Sequence, residues 1–427
     1  MKKEKFLIST IILIIGGAVT KILGMVIRII MTRIVGTNGI SLYMLIFPTF
    51  SLFMTLSQLG FPTAISKLVS EDKHNNKNVV FSIIPFSLIL NIILMIIIFI
   101  LAPILSYNIL KDPRCYYPII SIALVLPFDS LSSILRGYFF GKQRMFPHVL
   151  SNIFEQIIRM ILIIIIIPKI MKYNLSYAVA GLVLVNIVSE LSSIFILLIF
   201  LPKNFVVKKE DIKPAVNNVK DLLRIALPTT GGRLVGSIGY FFEPILITLA
   251  VFGTANNSNI LREYGIIEGY VMPLLLLPGF FTNAISSALL PVISKAYVNN
   301  KINYVKTKLK QTIIISILIG SIVTTILVIY PSFFLNYIYH TNEGVNYLRI
   351  IAPFFLLYYI QSPLASVLQS IDKAKYIMTD NTISIIIRSI TIVFGCFLWG
   401  IYGFLISICI NILIVTILHY IHVKKAL

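Results

Sequence analysis

Apolar runs of about 20 residues follow one another along nearly the whole chain, and that spacing leaves few folds open. Such a run is the length a helix needs to cross the hydrocarbon of a bilayer. Composition agrees. Hydrophobic residues make up 58% of the 427 and charged ones 12%, against about 25% charged in a soluble domain. Mean hydropathy is +0.94. The chain is therefore expected to be an all-α, polytopic membrane protein.

Several function classes fall away on the same evidence. The net charge of +20 does not point to nucleic acid, because the Lys and Arg residues sit mostly in short loops between apolar runs, where they act as topology signals. Cys115, Cys396 and Cys409 have no CxxC spacing and lie in or beside apolar runs, so neither a disulfide framework nor a metal site is suggested. The five histidines form no metal-ligand pattern. His419 and His422, beside Lys424 and Lys425, are expected to be interfacial anchors. The apolar N-terminal stretch runs past Lys21 to about Ile34 without a clean small-x-small site, which argues against a cleaved signal peptide. No Ser–His–Asp, metal-ligand or paired-carboxylate arrangement suggests an enzyme, and no cofactor is called for.

Twelve spans are expected, at roughly 6–34, 39–63, 79–107, 117–140, 148–168, 175–201, 221–251, 263–291, 311–338, 345–370, 376–398 and 400–422. The polar connection 202–220 divides them six and six, giving an N-terminal lobe over 1–201 and a C-terminal lobe over 221–427. Loops on the side of the N-terminus carry most of the Lys and Arg residues. The opposite loops carry only Arg33, Lys111, Arg114, Lys169, Lys172 and Arg262. By the positive-inside rule both termini are expected in the cytoplasm.

The halves read as copies. "PTAISK" (62–67) matches "PVISK" (291–295), and "NIFEQIIR" (152–159) matches "NTISIIIR" (381–388). Ser66 and Ser294 are 228 residues apart, while Asn152 and Asn381, like Arg159 and Arg388, are 229 apart. Six helices per copy is an even number, so the copies are expected to be parallel repeats, two six-helix lobes around a central cavity as in many transporters.

The first span carries cations where lipid would reject them. Gly17, Lys21, Gly24 and Arg28 follow the i, i+4, i+7, i+11 pattern of one helix face, with Lys21 and Arg28 ~10 Å apart along the axis. The stripe faces either buried carboxylates or a water-filled cavity. Intramembrane acids are few: Asp129, Glu155, Glu190, Glu243 and Glu268 stand against Lys21, Arg28, Arg136, Arg159, Arg233 and Arg388. Glu155 and Arg159 are i, i+4 partners in the favourable order, and Asp129 shares a face with Arg136. The position matching Glu155 in the second copy is Ser384, so Arg388 lacks the local partner of its twin. Arg33, near the outer end of the span, is expected to snorkel.

The seventh span opens "LPTTGGRLVGSIG" (227–239). Pro228 and four glycines weaken a helix, so Arg233 sits either in a bend bordering a site or in a close helix contact through small residues. "LRGYFFGKQRMFPHVLSNIFEQIIR" (135–159) reads as helix, basic turn and helix, with Lys142 and Arg144 in the turn as topology signals.

The stretches 20–36, 59–71, 134–159, 225–238 and 272–297 together resemble the multidrug/oligosaccharidyl-lipid/polysaccharide flippase superfamily. The most specific is the third, which carries the pattern RGYFxGxQRMxP. The nearest branch is that of the stage V sporulation and polysaccharide biosynthesis proteins and the lipid II flippases. The resemblance implies a V-shaped, two-lobed fold that exports lipid-linked saccharide precursors by alternating access, with first-helix cations facing the cavity, here Lys21 and Arg28. The chain departs from the lipid II flippases near Met272 and Leu275, where their eighth helix carries a cavity Arg and Glu, and on this reading the two extra C-terminal spans of some relatives are not expected.

The expected function is a flippase moving a polyprenyl-pyrophosphate-linked saccharide, with a peptidoglycan precursor as leading candidate, from the inner to the outer leaflet of the bacterial plasma membrane. Lys21, Arg28, Arg233 and Arg388 are the candidate pyrophosphate ligands. Asp129, Arg136, Glu155, Arg159 and Glu243 are candidate cavity or structural ion pairs. The expected partners are the lipid-linked saccharide and membrane lipids, with a monovalent cation or proton as candidate coupling ion, and the chain is expected to be monomeric. Two rivals stand beside this reading: a multidrug/cation antiporter, which would want uncompensated carboxylates, and a non-transporting scaffold for wall or spore assembly.

Overall fold

The computed structural model describes residues 2–70, 76–202, 216–252 and 257–427. Eleven helical stretches among them are long and apolar enough to cross a membrane. The first, Ile15–Ser70, takes in most of the first expected span and all of the second. The chain is thus all-α and polytopic. It packs as two compact units, Met1–Phe241 and Phe242–Leu427. The boundary falls within a helix rather than in the 202–220 connection, most of which lies outside the described residues.

The N-terminal unit begins with α1 (Lys2–Gln58), which changes direction at Gly36, where φ is 65° and ψ −174°. Only glycine adopts that conformation without strain, so the expected break between spans 1 and 2 is made by one residue. A pair of positive-φ residues, Leu59 and Gly60, ends α1 and starts the short α2 (Phe61–Ser70). "PTAISK" therefore lies in a separate helix instead of closing the second span. Then follow α3 (Asn76–Pro103), α4 (Tyr116–Gly141), α5 (Met145–Met171), α6 (Leu175–Ile199) and α7 (Val216–Ala250). A π-helical turn at Ile104–Ile109 extends α3.

Lipid tails are as apolar as leucine, so helices in a membrane associate through close packing and polar contacts. The α2–α4 contact shows the first device. A side-chain carbon at Gly137 would lie 2.8 Å from the Pro62 carbonyl oxygen, and one at Gly141 2.7 Å from that of Ser66. The G-x-x-x-G spacing inside "RGYFFG" thus lets α2 lie directly on α4. Around it Phe61, Ile65, Ile83, Ile134 and Phe139 form a closed apolar cluster. By contrast Ile89, Ile92, Ile93, Ile96 and Ile100 of α3 are exposed, the face such a helix offers to lipid.

The C-terminal unit takes the end of α7, then α8 (Asn257–Ile266), a π-helical turn at Ile267–Val271, α9 (Met272–Val298), α10 (Ile302–Ile329), α11 (Pro331–Tyr339), α12 (Val345–Ser370), α13 (Ala374–Trp399) and α14 (Ile401–Ala426). The expected span 311–338 is corrected here. Pro331 has no N–H to extend α10 and instead occupies the first turn of α11, while α10 starts earlier, among polar residues. Between α13 and α14, Gly400 turns the chain at φ 58°. Gly395 and Gly403 then approach so closely that a side-chain carbon on the former would lie 3.0 Å from the Cα of the latter.

The internal repeat is visible in the helix bounds. Both ends of α12 (Val345–Ser370) lie 229 residues after those of α4 (Tyr116–Gly141), and α13 begins at Ala374, 229 residues after α5 begins at Met145. These are the spacings of the sequence matches, so α4–α5 and α12–α13 are copies of one helical hairpin.

Candidate functional site

In the N-terminal unit, α4, α5 and α6 bring their charged residues to one buried place. Arg136 Nη2 donates to Glu155 Oε2 at 2.5 Å, to Glu190 Oε2 at 3.1 Å and to Ser193 Oγ at 3.0 Å. Arg159 Nη2 donates to Glu155 Oε1 at 2.5 Å, closing the i, i+4 pair within α5. Ser132 Oγ donates to Glu190 Oε2 at 2.6 Å. Two guanidiniums and two carboxylates thus balance each other. Desolvated charges persist only when paired and hydrogen-bonded in this way. Arg136 and Arg159 are engaged by carboxylates, and their ion pairs join α4, α5 and α6.

Asp129 does not pair with Arg136, the neighbour seven residues along its own face. Its Oδ2 instead accepts from Gln58 Nε2 at 2.9 Å, and Gln58 Oε1 receives Arg233 Nη2 at a longer 3.4 Å. Gln58 is the last residue of α1, delivered there by the Leu59–Gly60 turn. Sequence reasoning passed over it. The available signal was a polar side chain at the end of an apolar span, immediately before a glycine.

The α1 stripe keeps an open face. Lys21 is exposed, and Gly17, Gly24 and Arg28 are half-buried, while Ile27 and Met31 on other faces are buried. A side-chain carbon built at Gly17 or Gly24 would meet no atom within 4 Å. Arg28 Nη2 lies 3.7 Å from Met44 Sδ beyond the Gly36 bend, and Arg33 is exposed. On α7, Arg233 is exposed, and Gly231 and Gly236 also face open space. These two glycines therefore do not form a close helix contact. Nor is α7 broken: it is helical throughout Val216–Ala250.

In the C-terminal unit, Arg388 has no acid four residues earlier, as expected, and pairs with another helix instead. Its Nη2 donates to Glu243 Oε2 of α7 at 3.0 Å, and its guanidinium lies 5.8 Å from the centre of the Phe404 ring. Reading α13 alone could not find an acid contributed by a distant helix. Sequence reasoning also omitted Asp380, which is fully buried. His419 Nδ1 and His422 Nδ1 both lie 3.0 Å from its Oδ2, and Tyr376 stacks on His422 with ring centres 4.3 Å apart. His419 is thus no interfacial anchor but part of a buried α13–α14 contact. No short spacing announces such a contact, because Asp380 and His419 are 39 residues apart on different helices. Among the described residues, no group of His, Cys, Asp and Glu is arranged to hold a metal ion.

Comparison with known proteins agrees with this architecture. The family model described as "Polysaccharide biosynthesis protein" matches residues 6–297, and the MatE model matches 268–394. Stage V sporulation protein B of Bacillus subtilis (strain 168) is 35% identical, with 100% of this chain and 85% of that protein covered. Lipid II flippase MurJ of the same organism is 24% identical, covering 90% of this chain and 76% of the relative. Among solved structures, a multidrug resistance MATE family transporter in its inward-facing conformation superposes with a TM-score of 0.74 at 18% identity, covering 95% and 94% of the two chains. Lipid II flippase MurJ in an inward closed conformation gives 0.73 at 16% identity, over 97% and 87%.

Proposed function

The chain belongs to the polysaccharide biosynthesis protein family of the multidrug/oligosaccharidyl-lipid/polysaccharide superfamily of membrane transporters and flippases, and on that premise we propose that it carries a polyprenyl-pyrophosphate-linked saccharide from the inner to the outer leaflet of the bacterial plasma membrane. A peptidoglycan precursor is the preferred cargo, since one relative is named a lipid II flippase.

One observation carries the reading: exposure separates the acids from the cations. Asp129, Glu155, Glu190 and Glu243 are all buried and hydrogen-bonded, whereas Lys21 and Arg233 are exposed and Arg28 is half-buried. A surface of this kind attracts an anion. Lys21, Arg28 and Arg233 supply the donors for a diphosphate, whose dehydration no single donor offsets. Arg388, held by Glu243, contributes less. An inside-negative potential drives the anion outward by about 2.3 kcal/mol per charge per 100 mV. A drug/cation antiporter would want a carboxylate open to its cargo, and these four are all committed.

The test is leaflet accessibility of a fluorescent polyprenyl-pyrophosphate saccharide in proteoliposomes, with wild type beside Lys21→Gln/Arg28→Gln. Transport by wild type alone is the expected result. Undiminished transport by the folded double variant removes the pyrophosphate role. Absence of transport by folded wild type removes the flippase reading itself.

A further inference from the structure

The two copies of the hairpin treat the same interior differently. At the offset of 229 that relates α4 to α12 and α5 to α13, Asp129 becomes Tyr358, Ser132 becomes Gln361, Arg136 becomes Ala365 and Glu155 becomes Ser384. The guanidinium at the centre of the N-terminal network is thus replaced by a methyl group, and both of the acids that can be matched are lost. The helix lengths are kept, because the bounds agree. Removing a large side chain without closing the helices leaves a space.

That space is present. A cavity of about 380 Å³ lies among α9, α12, α13 and α14, with Ala365 in its wall. Such a volume falls within the roughly 300–1,000 Å³ of small-molecule sites. The cavity is lined by Asn283, Tyr358, Gln361, Asn381 and His419, and by no Lys, Arg, Asp or Glu. Two of its polar groups are not consumed by the fold. The amides of Asn283 and Asn381 are exposed and make no hydrogen bond to other described residues. Gln361 is oriented by donating Nε2 to the Ile412 carbonyl and to Thr416 Oγ1, both at 3.1 Å, which leaves its Oε1 as a fixed acceptor. His419, which also lines the cavity, is held at Nδ1 by Asp380.

We propose that this cavity is a binding subsite for an uncharged saccharide, the sugar part of the cargo. The inference rests on the flippase reading for its cargo and on the cavity for its chemistry. Sugar hydroxyls and N-acetyl groups both donate and accept, as do side-chain amides, and the Tyr358 ring supplies an apolar face beside them. A phosphate would require cations in the wall, and a cationic drug would require a carboxylate. The cavity offers neither. On α12, α13 and α14 most of its lining lies in the helix halves next to Lys373, Lys375, Lys424 and Lys425, and α9 adds residues from its middle. By the positive-inside rule that is the cytoplasmic side, where a precursor is loaded.

Two measurements test the subsite. The first is saturation-transfer NMR of N,N′-diacetylchitobiose with the protein in lipid nanodiscs. Wild type should bind the disaccharide. Asn283→Leu/Asn381→Leu removes polar groups from exposed positions, and Ala365→Leu fills the space. Each should weaken binding about tenfold, as the loss of one or two good hydrogen bonds or of the cavity requires, with thermal unfolding unchanged. The second is proteoliposome transport. The same variants should raise the KM for a sugar-bearing polyprenyl pyrophosphate about tenfold and leave the sugar-free lipid unaffected. Wild type that ignores the disaccharide, or variants that bind it equally well, overturn the subsite even if lipid is flipped. Loss of binding in the variants without any lipid transport in wild type upholds the subsite and overturns the flippase reading.

Discussion

Arg159 and Arg388 occupy the same position in the two copies of one hairpin, yet they end on different carboxylates. Arg159 meets Glu155, four residues earlier on its own helix, at 2.5 Å. Arg388 finds Ser384 in that place and instead reaches Glu243 of α7 at 3.0 Å. In the first copy the ion pair is local. In the second it ties two helices together.

The difference sets the cost of losing the acid. Glu243→Gln leaves the Arg388 guanidinium, largely buried, without its counter-charge, and should destabilise the C-terminal unit by about 3 kcal/mol. Adding Arg388→Gln should recover part of the loss, because two neutral amides are cheaper to bury than one unpaired ion. Thermal unfolding in detergent of wild type, the two single variants and the double variant gives the comparison.

The Asp380 cluster has its own asymmetry. A single oxygen, Oδ2, faces both His419 Nδ1 and His422 Nδ1. Asp380→Asn should therefore cost more than His422→Gln, since it affects two contacts at once and His419 is buried. About 2 kcal/mol for the former and under 1 kcal/mol for the latter are expected from the cost of unsatisfied buried groups. Chemical denaturation followed through the single Trp399, on α13 itself, should show the order.

Glycines in this chain divide into those that admit a neighbour and those that face open space. Gly137→Leu forces α2 away from α4, where the Pro62 backbone leaves no room, and should lower folded yield and cost about 3 kcal/mol. Gly24→Leu meets nothing and should leave the unfolding temperature unchanged. Under the proposed function the same Gly24→Leu crowds the space between Lys21 and Arg28 and should slow transport severalfold. A size-exclusion profile alongside the proteoliposome assay separates the two effects.

Arg136 and Glu190 should be energetically coupled. In a double-mutant cycle of Arg136→Gln and Glu190→Gln, the interaction energy is expected to be about 1–3 kcal/mol, because both residues belong to one network. A value near zero would mean that Glu155 alone holds Arg136.

The spans were legible because apolar length is a property of consecutive residues. The same holds for Glu155 with Arg159, for the interruption between 34 and 39, and for the repeat, whose spacing of 229 reappears in the helix bounds. What stayed hidden depends on residues far apart in the chain. Nothing near Asp129 indicates Gln58, nothing near Arg388 indicates Glu243, and Asp380 is one polar residue beside Thr379, Asn381 and Thr382 until His419 arrives from α14. The α10–α11 break was missed for another reason. Pro331 lies inside a continuous apolar run, and hydropathy does not register the missing N–H. The cavity at Ala365 is the hardest to read, since it is defined by the side chain that is not there.

The kept bounds of α4 and α12 carry a consequence for how this architecture can change over evolutionary time. One copy is filled by arginines and carboxylates and the other is hollow, but the scaffold is the same length in both. The shape is therefore dictated by the apolar exterior and the glycine contacts, and the interior is free to diverge. Descendants of one duplicated ancestor could exchange a sealed strut for a receptacle, or the reverse, by altering a few inward side chains, without a new topology having to be invented.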